Sequence, residues 1–314
     1  MWGKLFRRQP LNPTRAVRWD TPDGDFVDLH RLTAAERDAP RLLILHGLEG
    51  TIRSHYAQGL LGEARNRGWA ADMLIFRSCS EELNRTRRFY HSGETSDLDF
   101  VVERLLSESA MQPLLIAGVS LGGNVLLKYL GEKGRNISPR IKAAAAISVP
   151  FDLARSSRHI DRGFSRIYQR HFIRSLKRKT VAKLERFPDL VERERLTRIR
   201  TMYEFDETLT GPLHGFTGAD DYYARSSSLG WLGHISIPTL LFNAVDDPFT
   251  PREVLQDVRL VARQNPTLEI DFPPHGGHVG FIAGVNPFRP FYYAERRACD
   301  FLASKLATSV ALPD

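Results

Sequence analysis

Short apolar runs alternate with amphipathic segments along most of the chain. The runs lie at residues 41–47, 69–76, 113–119, 143–150, 237–247 and 267–274. Segments with apolar residues at helical spacing lie between several of them, as at 96–109, where Leu98, Val101, Val102 and Leu105 share one face. Continuous apolar strands that alternate with helices predict a parallel sheet with helices on both faces. Before the first run, two alternating segments flank Asp23-Gly24, a pair typical of a tight antiparallel hairpin.

The alternation stops at Pro150 and resumes at Ile237. We therefore predict an α/β core formed by residues 1–150 and 237–314, with a helical lid inserted at 151–236. An insertion after a strand would lie over the carboxyl ends of the strands, where open α/β sheets bind ligands.

Composition excludes several classes of protein. The chain has 314 residues, 42% of them hydrophobic and 26% charged, enough for a large globular core. Its N-terminus lacks the apolar run of a signal peptide, and no stretch approaches the roughly 18 apolar residues of a membrane span, so we expect a cytoplasmic protein. The two cysteines, Cys79 and Cys299, are expected to be reduced thiols without metal-binding spacing.

The positive charge is concentrated in one part of the predicted lid. The whole chain has a formal charge of +7, but residues 155–200 alone contain 15 Lys and Arg against 5 Asp and Glu. Arginines at positions 155, 158, 162, 166, 170 and 174 alternate with Ile160, Phe164, Tyr168, Phe172 and Leu176. The offset of the two rows predicts one basic amphipathic helix with its apolar face toward the site, where Phe164 and Tyr168 would contact substrate.

Two interpretations of this helix remain open. The arginines are solvated on a simple lid, or they also contact an anionic membrane surface and deliver lipid substrates. Nucleic-acid binding is disfavoured, because the aromatic residues fall on the face opposite the charge.

The sequence Gly118-Val119-Ser120-Leu121-Gly122 follows an apolar strand and opens a helix. A strand, a tight turn and a helix are the setting of a nucleophile elbow, in which Ser120 adopts a strained conformation between two small residues. A simple glycine-rich turn is the alternative. The spacing does not fit a dinucleotide-binding fingerprint.

A nucleophilic serine needs a base and an acid later in the chain. HGGHVGF follows the last predicted strand, and its His278 is the favoured base, with His275 as the alternative. NAVDDPFTP ends the preceding strand and supplies the acid, for which Asp247 is favoured over Asp246. The order Ser, Asp, His is that of α/β-hydrolases. The two histidines have no carboxylate or third histidine at metal-ligand spacing, so no metal is expected.

An acyl-transfer site also needs donors for the developing oxyanion. The backbone N–H of Leu121 follows the nucleophile, and that of Leu48 lies in HGLEG after the first buried run. His46, in the same loop, is interpreted as a buttress rather than a base.

Four separated segments resemble the YheT-like branch of the α/β-hydrolases. They are HGLEGTIRSHYAQGL, RSCSEELNRTRRFYHSGETSDLDFVV, GVSLGGNVLLKYLGE and NAVDDPFTP with HGGHVGF. The resemblance covers most of residues 40–285 and implies serine-type carboxylester hydrolysis without a cofactor, with Ser120, Asp247 and His278 at the matching positions. Relatives have a more glycine-rich RSCSEELN segment, so substrate preference does not carry over.

We therefore predict a serine esterase that hydrolyses short to medium-chain acyl esters, lipid esters included. Glu49, Tyr90 and His91 are further candidates for substrate contact. An acyltransferase would use the same residues with an alcohol in place of water, and a non-catalytic lipid-surface or protein-binding module is the alternative from another class. Neither an obligate protein partner nor nucleic acid is expected.

Overall fold

The computed structural model describes residues 11–283 and 291–307. The first ten residues of the basic N-terminal tail, and residues 284–290 and 308–314 of the predicted second core segment, lie outside the described residues.

Eight strands form the central sheet of the described chain. They are β1 (Arg15–Asp20), β2 (Phe26–Leu32), β3 (Arg41–Leu45), β4 (Ala70–Ile75), β5 (Leu114–Val119), β6 (Ile141–Ile147), β7 (Thr239–Phe242) and β8 (Leu268–Asp271). Their order across the sheet is β1-β2-β4-β3-β5-β6-β7-β8, in which β1, β2 and β4 pair antiparallel and the remaining neighbours pair parallel. The predicted fold class, a mostly parallel sheet with an antiparallel N-terminal hairpin, is confirmed.

The central strands are buried because helices cover both faces. Side chains of β3 such as Leu43 and Ile44 have no exposed surface, and the alanines of β6 are equally buried. One face carries α1 (His55–Asn66), which packs against the C-terminal helix Tyr293–Ala307. Helices α2 (Ser96–Glu108) and α3 (Leu121–Lys133) pack together on the sheet, and a further helix, Arg252–Gln264, lies between β7 and β8.

Between β6 and β7 the chain is helical. The α-helices there include α4 (Leu153–Ile160), α5 (Ser165–Leu184), α6 (Arg193–Arg198), α7 (Met202–Phe205) and α8 (Ala219–Ser226). A π-helix, Asp206–Thr210, follows α7 directly. Two small apolar clusters hold these helices together, one around Leu176, Leu196 and Phe205 and one around Leu153 and Tyr222. We refer to this segment as the lid.

The prediction of one continuous basic helix in the lid is wrong. The chain forms two helices, α4 and α5, separated at residues 161–164. Gly163 has φ of 54° there, a left-handed conformation that glycine adopts without the clash of a Cβ atom. Phe164, the residue after Gly163, is 63% exposed and lies at the outer surface rather than facing the site.

Candidate active site

Ser120 occupies the turn between β5 and α3 and has φ of 54° and ψ of −120°. Its backbone N–H donates to Ile147 O at 2.8 Å, which ties the turn to β6. A Cβ atom at Gly118 would lie 2.5 Å from Gly122 O, and one at Gly122 would lie 2.5 Å from His46 O. Only glycine fits at these two positions, so the motif builds a sharp turn with Ser120 at its apex.

A hydrogen-bonded chain joins Ser120, His278 and Asp247. His278 Nε2 lies 3.0 Å from Ser120 Oγ, and His278 Nδ1 lies 2.9 Å from Asp247 Oδ2. Asp247 is buried after β7, where its Oδ1 also accepts the backbone N–H of Phe249 at 2.8 Å. With Nδ1 donating to the carboxylate, Nε2 is free to accept the proton of Ser120.

The loop that carries His278 is fixed from two sides. The N–H of Val279 donates to Ser148 Oγ at 3.2 Å, and the Val279 carbonyl lies 3.1 Å from His55 Nε2. The ring of Phe249 packs 4.1 Å from the imidazole of His278. These contacts hold the imidazole against Ser120.

The two alternatives weighed from the sequence lie elsewhere. His275 is exposed and its Nδ1 lies 3.3 Å from Asp246 Oδ2, not near Ser120. Asp246 Oδ1 accepts the backbone N–H groups of Gly276 and Gly277 at 2.9 and 2.8 Å. Asp246 therefore anchors the histidine loop while Asp247 contacts the histidine.

The loop at residues 46–50 brings Leu48 to the same cavity as Ser120. Its neighbours are occupied: Gly47 N–H donates to Tyr56 Oη at 2.9 Å, Glu49 N–H to Tyr90 Oη at 2.8 Å, and Gly50 N–H to Gly47 O at 2.9 Å. The Leu48 amide donates no backbone hydrogen bond within the described part of the chain. The Leu121 amide belongs to the first turn of α3, whose N–H groups have no partner within the helix.

His46 buttresses this loop. Its Nδ1 lies 2.7 Å from Gly47 O and its Nε2 accepts the Phe76 N–H at 3.0 Å, which requires the neutral ring. Complete burial lowers the pKa of His46 to about 4.

Glu49 has a role that the sequence did not indicate. Its carboxylate forms an ion pair with Lys179 of α5 at 2.7 Å and accepts hydrogen bonds from Ser175 of α5 and, at 2.9 Å, from Tyr90. It is absent from the cavity lining found among the described residues. Glu49 therefore links the lid to the loop of Leu48, and its contact with substrate stays a prediction.

Ser120 opens into a cavity of about 140 Å³ beneath the lid. Its lining is largely apolar and includes Leu48, Leu153, Ile160, Phe172, Leu176 and Phe249. Tyr90 and His91, both predicted to contact substrate, line it as well. Phe164 and Tyr168 do not belong to the lining seen in the described part of the chain; Tyr168 packs on Phe249 with ring centroids 5.3 Å apart.

Several buried polar groups also face this cavity. Burial lowers the pKa of His91 to about 3, so its ring is neutral, and His91 Nδ1 accepts the Gly93 N–H at 3.1 Å. The lid contributes Ser156, Asp206, Thr210 and Tyr223, which sequence reasoning missed because no local motif marks them. Phe172 and Leu176 belonged to the predicted apolar row and could be found from its spacing.

The structure offers no metal site in the part of the chain that it describes, since no group of three potential ligands comes together there. Likewise, no helix among the described residues is sufficiently long and apolar to cross a bilayer. Cys79 and Cys299 are buried free thiols that form no disulfide, and burial raises the pKa of the Cys79 thiol to about 11.

The fold and the Ser–His–Asp arrangement define an α/β hydrolase. A family model described as the alpha/beta hydrolase fold matches residues 40–284, and the chain belongs to this family. YheT of Escherichia coli (strain K12), a candidate esterase, is 39% identical over 310 residues, which cover 98% of this chain and 89% of YheT. The resemblance to the YheT-like branch is confirmed.

Two further comparisons agree with this assignment. The phospholipase ABHD3 of Bos taurus is 30% identical over 294 residues, 90% of this chain and 70% of its own length. The Pyrococcus furiosus esterase Pf2001 has a similar fold, with a TM-score of 0.60 and 16% identity over 93% of this chain and 92% of that one. The family and its relatives support a hydrolase as the class of enzyme.

Proposed function

We propose that the protein is a serine carboxylesterase that hydrolyses short to medium-chain acyl esters, lipid esters included. The observation that carries the proposal is the hydrogen-bonded chain from Ser120 Oγ through His278 to Asp247 at an apolar cavity. An apolar cavity with few polar groups is typical of a site for a small molecule with a hydrocarbon part.

In the proposed reaction Ser120 Oγ attacks the ester carbonyl while His278 Nε2 accepts its proton. The buried carboxylate of Asp247 holds the imidazole in the required tautomer and stabilises its charged form. The amides of Leu48 and Leu121 donate to the oxyanion. His278 returns the proton to the leaving alcohol, and water then hydrolyses the acyl-enzyme by the same steps.

Labelling with a fluorophosphonate probe tests the proposal directly. We expect the wild-type protein to label and the Ser120→Ala variant not to label, with kcat/KM for p-nitrophenyl butyrate reduced by about 10⁴-fold or more. A folded wild-type protein that does not label, or a Ser120→Ala variant that labels equally, would favour a non-catalytic member of the fold. A series from p-nitrophenyl acetate to p-nitrophenyl palmitate then defines the preferred acyl length.

We further propose peripheral contact with an anionic membrane surface through the lid. Exposed arginines at positions 158, 162, 166, 170 and 174 support it, together with Phe164 and Ile167, of which 63% and 47% are exposed. Basic residues around exposed apolar side chains are typical of surfaces that bind anionic lipid.

A further inference from the structure

One hydroxyl of the lid faces the cavity without a hydrogen-bond partner. Ser156 lies on α4, is 7% exposed, and lines the cavity, yet its Oγ has no partner within the described structure. The next residue behaves differently, because Ser157 Oγ donates to Ala154 O at 3.2 Å. Buried hydroxyls normally find a partner, so the Ser156 hydroxyl is a candidate for a group that a ligand satisfies.

A buried carboxyl lines the same cavity. Asp206 of the π-helix is 7% exposed and accepts the hydroxyl of Tyr223 at 2.7 Å, and Thr210 also hydrogen-bonds it. No ion pair to Asp206 occurs among the residues that the structure describes. Burial raises its pKa to about 6. A carboxylate has about four acceptor positions, so two hydroxyl donors leave capacity for another.

The polar groups of the cavity favour one kind of ligand group. An anionic group would be repelled by Asp206, and a cationic group has donors only, so it would leave the Ser156 O–H without an acceptor. A neutral hydroxyl both donates to the carboxylate and accepts from the serine hydroxyl. Much of the surrounding lining is apolar, so a lone hydroxyl here would be recognised by polar groups with unused hydrogen-bonding capacity, such as Ser156 and Asp206.

We propose that Ser156, Asp206, Thr210 and Tyr223 form a subsite that binds a free hydroxyl of an ester substrate. The subsite deepens the proposed esterase function and rests on it. The hydroxyl belongs either to the alcohol part or to the acyl chain of the ester, and these two sources have the same chemistry at the subsite.

Ether analogues test the subsite by binding alone, without turnover. In these ethers the hexyl group stands for the acyl chain of an ester and the propyl group for its alcohol part. Hexyl propyl ether has no hydroxyl. Its derivative 3-hexyloxypropan-1-ol carries one on the propyl group, and the isomer 6-propoxyhexan-1-ol carries one on the hexyl group. Affinities of the full-length protein for the three compounds are measured by calorimetry. We expect one of the two isomers to bind about 5- to 10-fold more tightly than the ether, the range for one net hydrogen bond in a buried site.

Two substitutions then locate the preference. Ser156→Ala and Asp206→Asn should each reduce the preference for the hydroxyl isomer, with little change in affinity for hexyl propyl ether. Ser228→Ala is the matched control, because Ser228 is another buried serine whose Oγ has no partner among the described residues but which does not line this cavity. It should retain the preference.

The outcomes separate this inference from the proposed function. Equal binding of all three ethers by the wild-type protein, or a preference that survives in both Ser156→Ala and Asp206→Asn, would overturn the subsite. A hydroxyl preference that Ser156→Ala removes supports it even if no ester is hydrolysed, in which case only the esterase proposal fails. Thermal unfolding of each variant checks that the fold is kept.

Discussion

At the residue scale, two adjacent carboxylates perform different tasks. Asp247 Oδ2 lies 2.9 Å from His278 Nδ1, whereas Asp246 binds the backbone of Gly276 and Gly277. The sequence favoured Asp247 because it heads the turn after β7, but spacing alone does not distinguish two neighbouring acids after one strand. The direction of each side chain depends on tertiary contacts such as the Phe249 amide.

Asparagine substitutions at these two positions should have very different effects. Asp247→Asn removes the charge that supports His278 and favours the wrong tautomer, so kcat should fall by about 10⁴-fold. Asp246→Asn retains an oxygen that can accept the Gly276 and Gly277 amides, and kcat should fall by less than about tenfold. Steady-state kinetics with p-nitrophenyl butyrate checks both; equal losses would contradict the assignment of Asp247.

Asp206 makes stability depend on pH. Burial raises its folded-state pKa from 3.8 to about 6, so between these pH values the folded protein holds a proton that the unfolded chain has released. Stability from this group is therefore present below about pH 4 and is lost as pH rises through about 6, by about 3 kcal/mol. Asp206→Asn has no proton to lose there.

The free energy of unfolding of Asp206→Asn minus that of the wild type should consequently increase from about pH 4 to about pH 8, by up to about 3 kcal/mol. Urea denaturation at both pH values measures this difference, and the slopes of the transitions show whether unfolding remains two-state. Parallel pH dependence of the two proteins would exclude a raised pKa at Asp206.

At the scale of elements, helix α5 is connected to the loop that carries Leu48. Lys179 and Ser175 of α5 both bind the carboxylate of Glu49, which also accepts the Tyr90 hydroxyl. Glu49 has φ of 56°, so the loop depends on these side-chain contacts to hold an unfavourable backbone conformation. The lid helix is thereby tied through Glu49 to the loop that carries the Leu48 amide.

Loss of this connection should reduce the rate of the chemical step more than substrate binding. We expect Ser175→Ala and Lys179→Met to lower kcat for p-nitrophenyl butyrate by about tenfold with KM changed less than about threefold, because a displaced oxyanion donor acts in the transition state. Arg174→Met, on an exposed position of the same helix, is the matched control. A change confined to KM, or equal effects in the control, would indicate that the contact only packs the lid.

The sequence predicted the sheet better than the lid. The strands are short apolar runs that can be recognised without knowing what packs against them, so β3 to β8 follow from the pattern. The break between α4 and α5 did not, because the spacing of arginines and apolar residues continues across Gly163, and one glycine within a helical pattern is often tolerated. The π-helix at Asp206 likewise has no local sign, since packing of the lid decides it.

At the scale of the whole molecule, strand order brings the site together. β5, β6, β7 and β8 are consecutive neighbours, so the loops after β5, β7 and β8 that carry Ser120, Asp247 and His278 meet at one edge of the sheet. The loop of Leu48 follows β3, which pairs with β5 on the other side. Because the carboxyl ends of parallel strands share one edge, these four loops could be placed together from sequence. Ser156 and Asp206 could not be placed, since their positions depend on the packing of the lid helices.

The basic charge of the molecule lies on the lid around an exposed apolar tip, and this arrangement predicts salt-sensitive binding to anionic vesicles. Vesicles of phosphatidylglycerol and phosphatidylcholine should co-sediment with the protein at low ionic strength and release it as salt approaches about 0.5 M, because screening weakens contacts of exposed arginines.

Charge reversal at Arg166, Arg170 and Arg174 should abolish this binding, while Phe164→Ser should weaken it without changing its dependence on salt. Activity toward p-nitrophenyl butyrate should be retained in both variants, since these residues lie outside the described cavity lining. Binding that does not change with salt, or equal binding to vesicles of phosphatidylcholine alone, would exclude the electrostatic contact and leave the arginines as a solvated face of the lid.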